Sequence, residues 1–163
     1  MIWGLLIYIG LSNALYFICR AYYLHTDKKI FIISNKYLFY ILQFTWGIVM
    51  NIIGGLVAIA LYVAGVRPQK FEKVWYFALP IDFGLSLGCV VLCPKITTRS
   101  LKEHEYGHSI QNAILGPFMV TTVCIPSAVR YWWRKFNKDK NLTAYDDIWF
   151  EGQASLSGKE KRG

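Results

Sequence analysis

The stretch SLKEHEYGHSIQNAILGP, residues 100–117, decides how the rest of this chain is read. Ser100 to Glu103 matches the S-x-x-E capping box, in which the two side chains satisfy free backbone N–H groups of a helix's first turn. Pro117 cannot continue the hydrogen-bond ladder and disfavours helix at Gly116. These signals predict one helix of about four turns between them. Residues four apart lie nearly above one another on a helix, so His104 and His108 project from one face. Two imidazoles so placed can hold one zinc ion, and Glu105 on the flank can reach a zinc-bound water. Gln111 and Asn112 continue the polar stripe, while Leu101, Ile110, Ala113 and Ile114 supply apolar surface. That pattern suits a wet cleft on one side and protein or lipid on the other. The plainer alternative is an interfacial helix with exposed polar residues.

The composition points to lipid. Hydrophobic residues make up 55% of the 163 and charged residues 17%, against roughly 45–50% and 25% in ordinary soluble domains. The formal charge is +8. Its basic residues flank apolar runs instead of forming one patch, which favours anionic lipid headgroups over nucleic acid as the partner. The four cysteines, Cys19, Cys89, Cys93 and Cys124, form no CxxC pair and read as small buried hydrophobes. His25 is a lone interfacial histidine with no expected catalytic role.

Met1 to Cys19 carries no charged side chain and lacks the basic region and cleavage site of a secretory signal. It is predicted to span as a helix. Residues 20–36 are an interfacial connection. Tyr37 to Val66 is uncharged and predicted as one long spanning helix, with Gly54-Gly55 allowing close helix packing. Val74 to Cys93 has two readings. It is a third, irregular spanning helix, or a shorter helix ending near Pro80 with a β-strand over Leu87–Leu92. Ala144 to Leu156 is a last ordered piece. The expected fold is thus a mostly all-α integral membrane protein. It has two to three transmembrane helices, a motif-bearing helical hairpin and one short strand at most. Residues 1–95 form the membrane-embedded region, 96–158 the metal-site region and 159–163 a mobile basic tail, together one integrated domain.

Charge bias gives an expectation for sidedness. If the chain turns back at Gly116-Pro117, Lys and Arg divide 15 against 3, or 14 against 4 if residues 74–93 do not span. By the positive-inside rule either division puts the motif and the C-terminal segment on the cytosolic side.

Catalytic zinc needs three protein ligands plus water, and the best downstream acid is Glu151 in IWFEGQASLSG. HEYGH followed some forty residues later by E-x-x-A resembles the gluzincin metallopeptidases. More closely, HEYGHSIQNAILGP with YDDIWFEGQASLSG is similar to a group of small prokaryotic membrane proteins with HEYGH-x-IQ-x-x-x-LGP signatures. The likeness covers roughly residues 84–158. It implies that His104, His108 and Glu151 bind Zn2+ and that Glu105 is the catalytic base. The gluzincin pattern has Asp or Asn after the alanine, where this chain has Ser155. Ser155 would then support a ligand more weakly, and Asp147, one turn before Glu151, is an alternative support or ligand. Tyr145, Tyr131 and Arg130 are candidate oxyanion donors. The expected activity is hydrolysis of a peptide bond in a peptide or membrane-protein substrate near the cytosolic face. Two rivals are a zinc hydrolase acting on a lipid amide or ester and a non-catalytic membrane subunit.

Overall fold

The computed structural model describes residues 2–26, 32–137, 144 and 147–159. Helix α1 (Ile2–His25) is 24 residues long with a mean hydropathy of 1.8, enough to cross a membrane. At about 1.5 Å per residue it reaches some 36 Å. Most of its large apolar side chains, including Ile2, Trp3, Leu5, Ile7 and Ile18, are exposed.

The long helix expected over Tyr37–Val66 is instead two. Helix α2 (Lys36–Phe44) is capped by Asn35, whose Oδ1 accepts from the backbone of Tyr37 and Leu38 at 2.8 and 3.0 Å. It meets α3 (Ile48–Val63) at 89°. Thr45-Trp46-Gly47 makes the break, and a Cβ at Gly47 would press on the Asn112 side chain at 2.7 Å.

Residues 74–93 contain no helix. Strands β1 (Gln69–Phe71), β2 (Val74–Leu79), β3 (Leu85–Leu87) and β4 (Val90–Pro94) form one sheet of order β1-β2-β4-β3. Only β2 and β4 pair in parallel. The expected strand over Leu87–Leu92 is therefore two strands joined by a tight turn. Gly88 in that turn has φ +68°, and its missing Cβ leaves room for the Asn51 amide. The apolar average of this segment reflects sheet burial, with Val74, Phe77, Val91 and Cys93 at 2% exposure or less. Cys19, Cys89 and Cys93 are buried and all four cysteines are unpaired.

Helix α4 (Arg99–Leu115) carries the HEYGH motif. It begins before the expected capping box: Thr98 is the cap, accepting from Leu101 N at 3.2 Å, and Glu103 pairs with Arg99 at 2.8 Å. Gly116 does end it. Its φ of +55° and ψ of −125° suit glycine, and a side chain there would overlap the Trp46 ring. A 3-10 turn (Gly116–Phe118) and a π-helical turn (Val120–Cys124) lead into α5 (Ile125–Phe136), and the whole passage bends by 117°. Helix α6 (Trp149–Lys159) packs on α4.

The elements interlock through polar contacts. Successive turns of α1 touch the returning chain: Tyr8 donates to Pro117 O at 2.7 Å, Ser12 and Thr121 share a bond of 2.9 Å, and Tyr16 meets Trp149 edge-on. Trp46 donates to Ile114 O at 3.0 Å, so the α2–α3 break and the end of α4 lie together. Gln43 donates to Ser109 O at 2.8 Å and accepts from Asn112 and Asn51. Asn51 also accepts from the Cys89 backbone at 2.8 Å. Gly54 lies against Leu87 and Val90, so the close packing expected of it serves the β3–β4 hairpin and not another helix, while Gly55 faces open space.

One contact revises the sidedness argument. Lys73 donates to Ile33 O at 2.6 Å and Ser34 O at 2.9 Å. The connection after α1 and the β1–β2 turn therefore lie together, whereas both expected charge divisions separated them by a bilayer of about 30 Å.

Asn51→Ala removes the links from α3 to α2 and to the β3–β4 turn and strands a backbone N–H. We expect a loss of about 2 kcal/mol, read as a lower denaturant midpoint in detergent.

Candidate metal centre

The site begins with how closely α4 and α6 approach. A Cβ at Gly107 would overlap the carbonyl of Ala154, and one at Gly158 would overlap the carbonyl of Glu103. The helices run antiparallel, so side chains four apart on one face partners four apart on the other. His104 thereby meets Ser155, and His108 meets Glu151.

Three ligand atoms converge. His104 Nε2 and His108 Nε2 are 3.2 Å apart, and Glu151 Oε2 lies 3.1 Å from the first and 3.3 Å from the second. A tetrahedral ion with bonds of about 2.0–2.1 Å sets its ligand atoms roughly 3.3–3.4 Å apart. The triangle is close to one face of that tetrahedron, and the donor set suits a metal ion. His104, His108 and Glu151 are thus a cluster able to hold one.

Each ligand is held from behind. His108 Nδ1 is 2.7 Å from Gln111 Oε1, whose amide nitrogen donates to Phe150 O and Gln153 Oε1. An amide oxygen only accepts, so Nδ1 carries the hydrogen and Nε2 can present its lone pair. His104 Nδ1 and Ser155 Oγ share a bond of 2.8 Å, which puts Ser155 where the resemblance implied a support. Ser127 donates to Glu151 Oε1 at 2.5 Å, leaving Oε2 for the histidines.

The carboxylates differ in environment. Burial alone would raise Glu151, which is fully enclosed, but hydrogen bonds from His104, His108 and Ser127 hold it well below the usual carboxylate range. Burial pushes Glu105 up, and Glu151 adds to that push against the two histidines. Burial would lower His108, yet its bond to Glu151 and that group's charge lift it to about 9. Metal binding displaces such a proton from Nε2.

Glu105 borders a cleft shared with His104, Gly84, Phe83 and Tyr131. Gly84, just before β3, lies on the Glu105 carboxylate and leaves no room for a side chain. Of the other sequence candidates, Asp147 is exposed, precedes α6 and stands outside the cluster, because the helix starts only at Trp149. Tyr145 lies outside the described residues. Tyr131 lines the cleft, whereas Arg130 points elsewhere, donating to Ala144 O at 2.8 Å. Gln111 and Asn112 do not face a wet cleft, since both are buried and bonded to neighbouring elements. Sequence reasoning missed Gly107, Gln111 and Ser127. Gly107 within HEYGH and Ala154 within E-x-x-A signal close helix contact once the two segments are paired.

We expect Gly107→Ala to force the helices apart and to remove metal binding at micromolar concentrations. Gln111→Leu should weaken metal affinity by roughly 10–100-fold. Titration of detergent-purified protein with zinc, followed by elemental analysis, checks both.

Comparison of the chain with protein-family models, curated proteins and solved structures finds no match. The functional reading therefore stands on the geometry of the site.

Proposed function

We propose that this chain is a membrane-embedded zinc-dependent metallopeptidase with Glu105 as its catalytic base. The observation that carries the reading is the triangle of His104, His108 and Glu151 ligand atoms, 3.1–3.3 Å on each side, with Glu105 beside it on an open cleft. Two imidazoles and a carboxylate match a catalytic zinc donor set that leaves one position for water. Bound there, zinc supplies Lewis acidity and a water acidified towards a pKa of about 7.

The chain's own groups do the rest. Glu105 takes a proton from the attacking water and delivers it to the leaving amine. Its raised pKa suits that shuttle, because a very weak base could not accept the proton. Strand β3 is an edge of the sheet, held against α4 by a 2.9 Å bond between Ser86 and Ser109. Gly84, Leu85 and Ser86 border the cleft, so an extended peptide can pair with that edge beside Glu105. Tyr131 is the remaining described candidate for the oxyanion donor.

The surface supports membrane residence beyond α1. Ile52, Ile53, Leu56, Ile59 and Val63 of α3 are exposed, as are Ile125, Val129, Trp133 and Phe136 of α5. With α1 as the spanning element and the two bent passages dipping and returning, all 18 Lys and Arg follow its apolar stretch. That bias favours a cytosolic site.

Glu105→Gln should keep one zinc per chain and lower hydrolysis of a casein-derived fluorogenic peptide mixture by roughly 10²–10⁴-fold. Chelation of the wild type should abolish turnover, and added zinc should restore it. Equal activity in wild type and Glu105→Gln would remove the catalytic assignment.

A further inference from the structure

The ligand triangle meets the cleft on one side only. His104, His108 and Glu105 border the cleft, whereas Glu151 is fully enclosed behind them. A carboxylate offers a metal ion one oxygen or both, and the two oxygens of Glu151 differ in their surroundings. Oε2 stands 3.1 and 3.3 Å from the two imidazole nitrogens. Oε1 is turned to Ser127, whose hydroxyl donates to it at 2.5 Å. The direction of that bond is fixed, because an ionised carboxylate only accepts. Its length falls in the roughly 2.5–2.7 Å range of hydroxyl bonds to a charged oxygen, the stronger class.

Backbone geometry, and not apolar burial, brings Ser127 to this place. No residue of α5 is buried. Ahead of it, the π-helical turn is wider than an α-helical one: Ile125 N–H bonds Val120 O, five residues back. One extra residue in a turn rotates everything after it by about 100° relative to a plain α-helix. Such turns recur at functional sites. Pro126 follows directly, near the start of α5, where its missing N–H costs least. Ser127 and Tyr131, four apart and so on one helix face, both line the cleft. The face of α5 that walls the cleft is therefore also the face that grips Glu151.

We propose that Ser127 is a positioning residue that restricts Glu151 to one metal-binding oxygen and so keeps the cleft-side coordination position open. Without the hydroxyl, Oε1 turns onto the ion beside Oε2. Two imidazoles and both carboxylate oxygens already complete four ligands, the closed arrangement of a structural site. A hydrolytic centre needs the fourth position for water, and Ser127 is the group that reserves it. This deepens the peptidase reading and rests on the metal site at its centre.

The test loads the full chain, in detergent, with cobalt(II), whose visible spectrum follows its coordination, and titrates it with azide, an anion that takes an open position. Ser127→Thr keeps the donor, and Ser127→Val has the same shape without it. Ser127→Thr should retain the wild-type spectrum. Ser127→Val should still hold one cobalt per chain, with an altered spectrum and azide binding weakened at least about tenfold. Zinc-loaded Ser127→Val should cut the casein peptide mixture roughly 10–100-fold more slowly. Ser127→Ala should match Ser127→Val, which separates the lost hydroxyl from any misfit of the larger side chain. Thr and Val variants alike in spectrum and azide affinity overturn the inference. So does loss of cobalt from the Val and Ala variants, since Ser127 would then serve affinity and not the open position. A wild type that binds cobalt and azide but, loaded with zinc, cuts no peptide removes the peptidase reading, and the Thr–Val contrast still decides the role of Ser127. A wild type that takes up no metal removes both.

Discussion

The close approach of α4 and α6 is the constraint on which the site depends. Gly107 lies on the Ala154 carbonyl and Gly158 on that of Glu103, distances no side chain permits. Only at that separation can short imidazole and carboxylate arms from two helices bring three atoms within 3.3 Å. The ligands alone could not hold this geometry, because a buried Glu151 beside Glu105 is repulsive without a cation or proton between them. Packing therefore fixes the helices first, and His104, His108 and Glu151 occupy the space that the glycines create.

The shell around those helices solves a second problem, the burial of polar groups. Gln43, Asn51, Ser109 and Asn112 bond one another and the backbone of the β3–β4 turn. The two bends, at Trp46-Gly47 and Gly116-Pro117, free backbone groups at the same place, and Trp46 answers one of them at Ile114. Irregular backbone near membrane depth is tolerated where protein satisfies it. The same bonds tie α2 and the sheet to α4, so β3 is carried to the edge of the cleft by a rigid polar core.

What the sequence disclosed follows from range. The α1 span, the end of α4 at Gly116-Pro117 and the grouping of His104, Glu105 and His108 on one helix face are local, set by apolar run length, a proline and the helical repeat. The capping site was misplaced by two residues because Thr98 and Ser100 are equally able to accept, and Arg99 competes for Glu103. The break in Tyr37–Val66 was invisible because its cause is distant: Gly47 and Trp46 yield to Asn112 and Gly116. The sheet was hidden for a similar reason. With β4 largely buried on both faces and only Trp75 exposed in β2, the two strands read as a continuous apolar run, which resembles a spanning helix. Glu151 stood out as the best downstream acid and through the spacing of E-x-x-A, Gln111 read only as part of a polar stripe, and Ser127 carried no signal before the fold joined it to Glu151.

The contacts of α1 fix where the returning chain lies. Tyr8, Ser12 and Tyr16 touch the hairpin tip, the π-helical turn and the start of α6 in order, so the returning chain lies along α1. At one mouth of the cleft Arg134, Lys135 and Asp82 border His104 and Glu105. Helix α5, bent away from α4 by 117°, lines the cleft together with α4. A straight continuation of α4 through Gly116 would carry α5 away from the cleft that its Ser127, Ala128 and Tyr131 line.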